Sequence, residues 1–286
     1  MGRRKLFLAA TLSLFLIIPP SEAKDRFWHK LKNLKWVDYA PTKFNPQKGV
    51  YPSSVSIKKD LEVLQKAGFN GIVTYGSERT LKHIPYLAKQ VGFKGVIMGI
   101  WDINSLGEIK SALYAQKYVD GYCVGNEGYK YRYNFQQLNS TIRFIKCVTG
   151  KPTTTAEQID NYYYDKNLVD ISDWIFVNAH PYHQNIKKPK KAVRWVKEKV
   201  KRLERVLENK DCDKMIVVKE LGLPAKGNEG CDEKIQGEFF TLMEKTNIPF
   251  VYFEAFDQPW KQHFSIEPHW GLFDCERQPK RYIRTK

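Results

Sequence analysis

The 286-residue sequence is poor in several features that would settle its class at a glance. Beyond residue 18 no stretch is long and apolar enough for a membrane helix, which needs about 20 apolar residues, so no stable insertion is expected of the remaining chain. No Gly-rich turn follows the first strand-like run, which argues against an open dinucleotide-binding sheet. There is no Ser-His-Asp order, and repeats, Pro/Ser linkers and low-complexity tracts are missing. Cysteine is scarce: Cys123, Cys147, Cys212, Cys231 and Cys275 are five, an odd number that describes no disulfide framework in a chain large enough to need none. Cys123 lies in an apolar run and reads as a small buried hydrophobe. Cys212 and Cys231, in flanking loops, are the pair that could bridge. No cysteine has metal-ligand spacing. His180 with His183, and His263 with His269, lack a third ligand, so no metal is expected.

What is present begins with an export signal. Arg3, Arg4 and Lys5 precede the uncharged apolar run Leu6 to Ile18, then Pro19 and Pro20, and Ser21-Glu22-Ala23 offers a cleavage site. Residues 1–23 therefore read as a signal peptide and the protein as secreted or periplasmic. Residues 24–286 suit one domain, since an α/β barrel takes about 250 residues. The net charge is +16, and ten Lys/Arg fall between Lys187 and Arg205 against Glu198 and Glu204. Such a patch could meet nucleic acid. However, Val193, Val196, Val200, Leu203 and Leu207 recur at helical spacing through it, which makes the lysines the solvated face of an amphipathic helix. Weak attraction to anionic surfaces is then the most the charge implies, and no nucleic-acid partner is expected.

Eight short runs rich in β-branched and aromatic residues follow one another: 35–39, 70–75, 94–100, 118–127, 151–157, 173–182, 214–223 and 249–257. They are nearly continuous apolar runs, as strands buried on both faces require. Helical patterns separate them at 56–67, 138–148, 191–207 and 235–245. Eight strands alternating with helices predict an α/β fold closed as a (β/α)8 TIM barrel.

Active sites of such barrels lie at the C-terminal strand ends. The polar residues there are Tyr75, Trp101, Asn126-Glu127, Glu157, Asn178 to Tyr182, Glu220 and Glu254 to Lys261. Aromatic faces bind sugar rings, and two carboxyl groups cleave glycosidic bonds, so the inventory fits carbohydrate. Glu127 and Glu220 end strands four and seven, facing each other across the mouth. They are the candidate acid/base and nucleophile of a retaining glycosidase, a mechanism that needs no cofactor. Asn126 is placed for the sugar 2-hydroxyl. Trp101, Trp260 and Trp270 are candidate stacking platforms.

The flanking sequences carry a resemblance. Val124-Gly125-Asn126-Glu127-Gly128 resembles the acid/base strand of glycoside hydrolase family 17, the β-1,3-glucanase family. The segment 219–227 (KELGLPAKG) resembles its nucleophile signature, with Leu223 where a Trp is usual, a departure typical of bacterial relatives. Segments 253–261 (FEAFDQPWK) and 267–273 (EPHWGLF) resemble its last strand and following loop. Asn178-Ala179-His180-Pro181-Tyr182 is similar to its sixth-strand run, with His180 in an aromatic's place. The resemblance implies Tyr75, Lys261 and Glu267 as polar support around the nucleophile, Tyr182 near Glu220 or the sugar, and Gln258 where plant relatives have an acid. It implies hydrolysis of β-1,3-linked glucan with retention. Transglycosylation through the same intermediate is the closest rival, and glucan binding without catalysis a more distant one.

Overall fold

The computed structural model describes residues 20–210 and 212–281. Eight parallel strands close a barrel in chain order: β1 Trp36–Tyr39, β2 Gly71–Thr74, β3 Gly95–Ile100, β4 Gly121–Asn126, β5 Thr153–Gln158, β6 Ile175–Asn178, β7 Ile216–Leu221 and β8 Phe250–Tyr252. Closure is made by β1 against β8, with Trp36 beside Val251. Each strand falls within one of the eight apolar runs or, at β5, overruns it by one residue. The predicted TIM barrel is the observed fold.

The surrounding helices are α1 Pro20–Asn33, α2 Ser54–Lys66, α3 Ile84–Val91, α4 Leu106–Tyr114, α5 Phe135–Thr149, α6 Ile159–Tyr164, α7 Lys166–Ile171, α8 Pro189–Glu208 and α9 Glu233–Met243. Side chains that satisfy the free N–H groups of a first turn set several starts. Ser53 caps α2, Ser105 caps α4, and Asn134 with Gln137 forms a capping box on α5. On α8 the valines and leucines at helical spacing are buried, as expected. None of the described helices is long and apolar enough to cross a membrane. The apolar run assigned to the signal lies outside the described residues, whereas Pro20 opens α1 at a position where a missing N–H costs nothing.

Two apolar layers flank the strands because successive side chains point to opposite faces. Outward residues such as Val37, Ile72, Val96 and Val124 pack under the helices. Inward ones fill the lumen: Trp36, Val73, Ile97, Cys123, Phe176, Val217 and Val251, closed at the bottom by Phe27 and Leu31 of α1. Gly71 and Gly95 make that closure possible, since a Cβ at either would lie 2.4 Å from the Trp36 ring. The five cysteines are free thiols. Cys212 lies beside the start of β7, and Cys231 packs with Phe253 and Trp270 at the mouth. The bridge considered for them is not formed, because the two lie at opposite ends of the barrel.

Candidate active site

Strict alternation would not turn Asn126 or Glu220 into the lumen; a β-bulge on each strand does. Between Cys123 and Asn126 the register of β4 slips against β5, and Gly125 there has φ 73°. A side chain at that glycine would collide with the Tyr133 hydroxyl, 2.1 Å from its Cβ position. In β7 the register slips against both neighbours, β6 and β8, so that consecutive Lys219 and Glu220 both reach the interior. Bulges re-aim side chains in this way beside active sites.

The two strand ends converge. One carboxylate oxygen each from Glu127 and Glu220 and a ring nitrogen of His180 all lie within 4.8 Å of one another. Asn126 Nδ2 donates to Glu220 Oε1 at 3.1 Å, and Asn178 Nδ2 donates to Glu127 Oε1 at 2.8 Å and to Asn126 Oδ1 at 3.2 Å. Gln158 also donates to Glu127. Glu127 itself sits at φ 48°, a left-handed conformation that costs a non-glycine residue roughly 1 kcal/mol.

The two carboxyls are pushed apart electrostatically. Glu220 is buried, which opposes ionisation, but the Lys219 ammonium at 2.9 Å and the His180 Nε2–H at 3.2 Å outweigh burial and hold it well below the usual carboxylate range. Glu127 is exposed on its solvent side yet partly desolvated against the protein; that desolvation, then the charge of Glu220, raises its pKa. A carboxyl shifted toward its protonated form thus stands beside one held ionised, the division of labour acid/base chemistry needs. Lys219 is 1% exposed, lies 3.3 Å from Asp38 and sits 4.2 Å over the Tyr75 ring. Glu127, His180 and Glu220 could converge on a metal ion by distance alone. Glu220 is already engaged by the Lys219 ammonium, however, which repels a second cation.

A cavity of about 400 Å³ opens from Glu220 and Asn126 toward β1, β2, β3 and the loop after β8. Its walls are Phe44, Tyr51, Tyr75, Trp101, Phe253 and Trp260, with Glu78, Glu108 and Lys261 as polar groups. An apolar, aromatic wall with a few convergent polar groups is the make-up of a small-molecule site. Trp101 is 44% exposed and Trp260 half-buried. Both stand at the mouth of the cavity.

Other expected ligand contacts sit elsewhere. Trp270 is 1% exposed, in near-perpendicular ring contact with His180 and Phe253, so it is packed in the core rather than open to the cavity. Glu157 is 2% exposed and accepts from the backbone N–H groups of Gly128 and Tyr129 and from the Tyr133 hydroxyl, so it holds the loop after Glu127 rather than facing the cavity. Glu254 is fully buried and paired with Lys261 at 2.8 Å, and burial lifts its pKa to about 7 against that ammonium. Glu267, half-exposed in a 3-10 turn, does not line the cavity. Tyr182 does not hydrogen-bond Glu220: its hydroxyl accepts from Asn228, and His180 holds the place beside the nucleophile.

Lys219, Asp38, Gln158 and the role of His180 escaped the sequence reading. A lysine within an apolar strand was the available signal, because such a charge is buried only with partners.

The BtgE/BtgC glycoside hydrolase domain family matches residues 37–271. Among curated relatives, "Probable beta-glucosidase btgE" of Aspergillus fumigatus is 26% identical over 77% of this chain and 42% of its own length. A "Probable family 17 glucosidase" of Saccharomyces cerevisiae is 26% identical over 85% of this chain and 65% of its own. The chain thus spans less than two thirds of the curated relatives it matches. Among solved structures, an endo-laminarinase from Formosa superposes with TM-score 0.73 at 18% identity, covering 85% of this chain and 83% of that one. A β-1,3-glucanase and allergen of Cryptomeria japonica pollen gives 0.68 at 14% identity, covering 89% and 99%. These two share the barrel. Matched from β1 to the loop beyond β8, the chain belongs to the BtgE/BtgC glycoside hydrolase domain family, in keeping with the family 17 resemblance of its strand-end motifs.

Proposed function

We propose that this protein is a retaining β-glucan hydrolase that cuts β-1,3-glucosidic bonds, with Glu127 as acid/base and Glu220 as nucleophile. The observation that carries it is the pair of carboxyls within 4.8 Å, one held ionised and the other shifted toward its protonated form. Retaining enzymes place the two carboxyl groups about 5–5.5 Å apart, whereas inverting ones leave about 6.5–9.5 Å for a water. Glu220 attacks the anomeric carbon while Glu127 gives its proton to the departing glycosidic oxygen. Glu127 then takes a proton from water, whose oxygen attacks the same carbon and frees Glu220.

Linkage is supported by the names of relatives, which include a "Probable glucan endo-1,3-beta-glucosidase" of Aspergillus clavatus 25% identical over 80% of this chain. The basic residues Arg3 to Lys5 and the apolar run after them support export and, with it, action outside the cytoplasm. Glu220→Gln tests the reading on laminarin-like glucan. Activity falls to background if Glu220 is the nucleophile, and an undiminished rate refutes the assignment.

A further inference from the structure

The Asn126–Glu127 peptide is gripped at both ends. Its N–H donates to Ala156 O of β5 at 2.9 Å. Its carbonyl accepts from Arg132 Nη2 at 2.6 Å. The other arm of the same guanidinium, Nη1, donates to Trp101 O at 3.0 Å, and the group lies 4.2 Å over the Trp101 ring. Arg132 is otherwise exposed, and its partners are carbonyls and rings rather than a carboxylate.

This geometry matters because φ of Glu127 turns on that peptide. A left-handed glutamate relaxes to the ordinary α or β region by rotating the peptide plane, and the rotation breaks both hydrogen bonds. The planar fork of an arginine suits two carbonyls at once; a lysine ammonium has no such fork. We infer that Arg132 is a positioning residue, clamping the peptide that aims Glu127 and backing one face of Trp101 so that the other is presented to the cavity. The inference rests on the reading of Glu127 as acid/base.

A residue that acts through a general acid matters most when the leaving group needs a proton. The test compares kcat/KM of the full chain, Arg132→Gln and Arg132→Lys on a 2,4-dinitrophenyl β-laminaribioside and on unsubstituted laminari-oligosaccharide. General acid catalysis contributes about 10²–10⁴-fold, and a misaimed acid forfeits part of it. Arg132→Gln is expected to lose about 10- to 100-fold on the oligosaccharide and less than about 3-fold on the dinitrophenyl substrate, with Arg132→Lys between it and the wild type. Equal losses on the two substrates, or none on either, overturn the clamp. Should Arg132→Gln fail to fold, the same comparison on Arg132→Lys decides. A wild-type chain that turns over neither substrate overturns the hydrolase reading itself, and is thereby distinguished from failure of the clamp.

Discussion

The ammonium of Lys219 lies 2.9 Å from Oε1 of Glu220, and both side chains are buried. Consecutive residues of a regular strand could not share the lumen in this way; the β7 bulge puts them side by side. Asp38, 3.3 Å from the same ammonium, completes a buried triad. Removing its ammonium leaves Asp38 without its ion-pair partner and Glu220 with only Asn126 and His180 as donors.

Lys219→Met is therefore expected to cost about 3–5 kcal/mol of stability, measured by urea unfolding at neutral pH. Against burial, Glu220 owes its depressed pKa chiefly to that charge, with His180 adding to it, so the stability it contributes is present above the ordinary carboxylate range and lost as pH falls through its folded value. In the variant its pKa rises, and the acid limb of the kcat/KM profile moves to higher pH. A limb that stays in place would show that Lys219 does not keep the nucleophile ionised.

The tryptophans divide by exposure. Trp101, 44% exposed at the cavity, is expected to give a variant Trp101→Ala that folds within about 1 kcal/mol of the parent and binds glucan about 10-fold more weakly. Trp270, 1% exposed among Phe253, Ile266 and His180, is expected to cost about 3–5 kcal/mol on truncation to Ala. Thermal melts and KM for the two variants check this, and equal melting temperatures would contradict the placement of Trp270 in the core.

Glu157 predicts a pH dependence of folding. Burial lifts its pKa to about 7, against the backbone N–H groups of Tyr129 and Gly128 that favour the anion. A carboxyl with a raised folded pKa binds more protons in the native state, so the stability linked to it is full below the ordinary glutamate range and is lost as pH rises through about 7. Glu157→Gln, isosteric and uncharged, is expected to flatten the fall in urea midpoint between about pH 4.5 and 7. An unchanged slope would assign that fall to other groups.

Much of the architecture was legible in the chain. Strands buried on both faces must be apolar throughout, so all eight stood out, and α8 announced itself by the spacing of Val193, Val196, Val200, Leu203 and Leu207. Five helices did not, α1 among them because its first turn falls within residues read as the signal. For α6 and α7, six residues each are too few to display a period. For α3 and α4 the punctuation was there, Pro85 and Gly92 around one and Ser105 three residues before Glu108 at the start of the other, but their apolar faces are short.

By itself the sequence determined which residues lie at the mouth, since strand ends follow from where apolar runs stop, and it named Glu127 and Glu220 from the residues around them. Tertiary structure alone decided which of those mouth residues face one another. It buried Trp270, turned Glu157 toward the loop after β4, gave the place beside Glu220 to His180 rather than Tyr182, and brought Asp38 from β1 to Lys219 on β7. The physical reason is that a single slipped register reverses which side chains point inward, and the energy of a buried charge depends on partners far away along the chain, neither of which is written in local sequence.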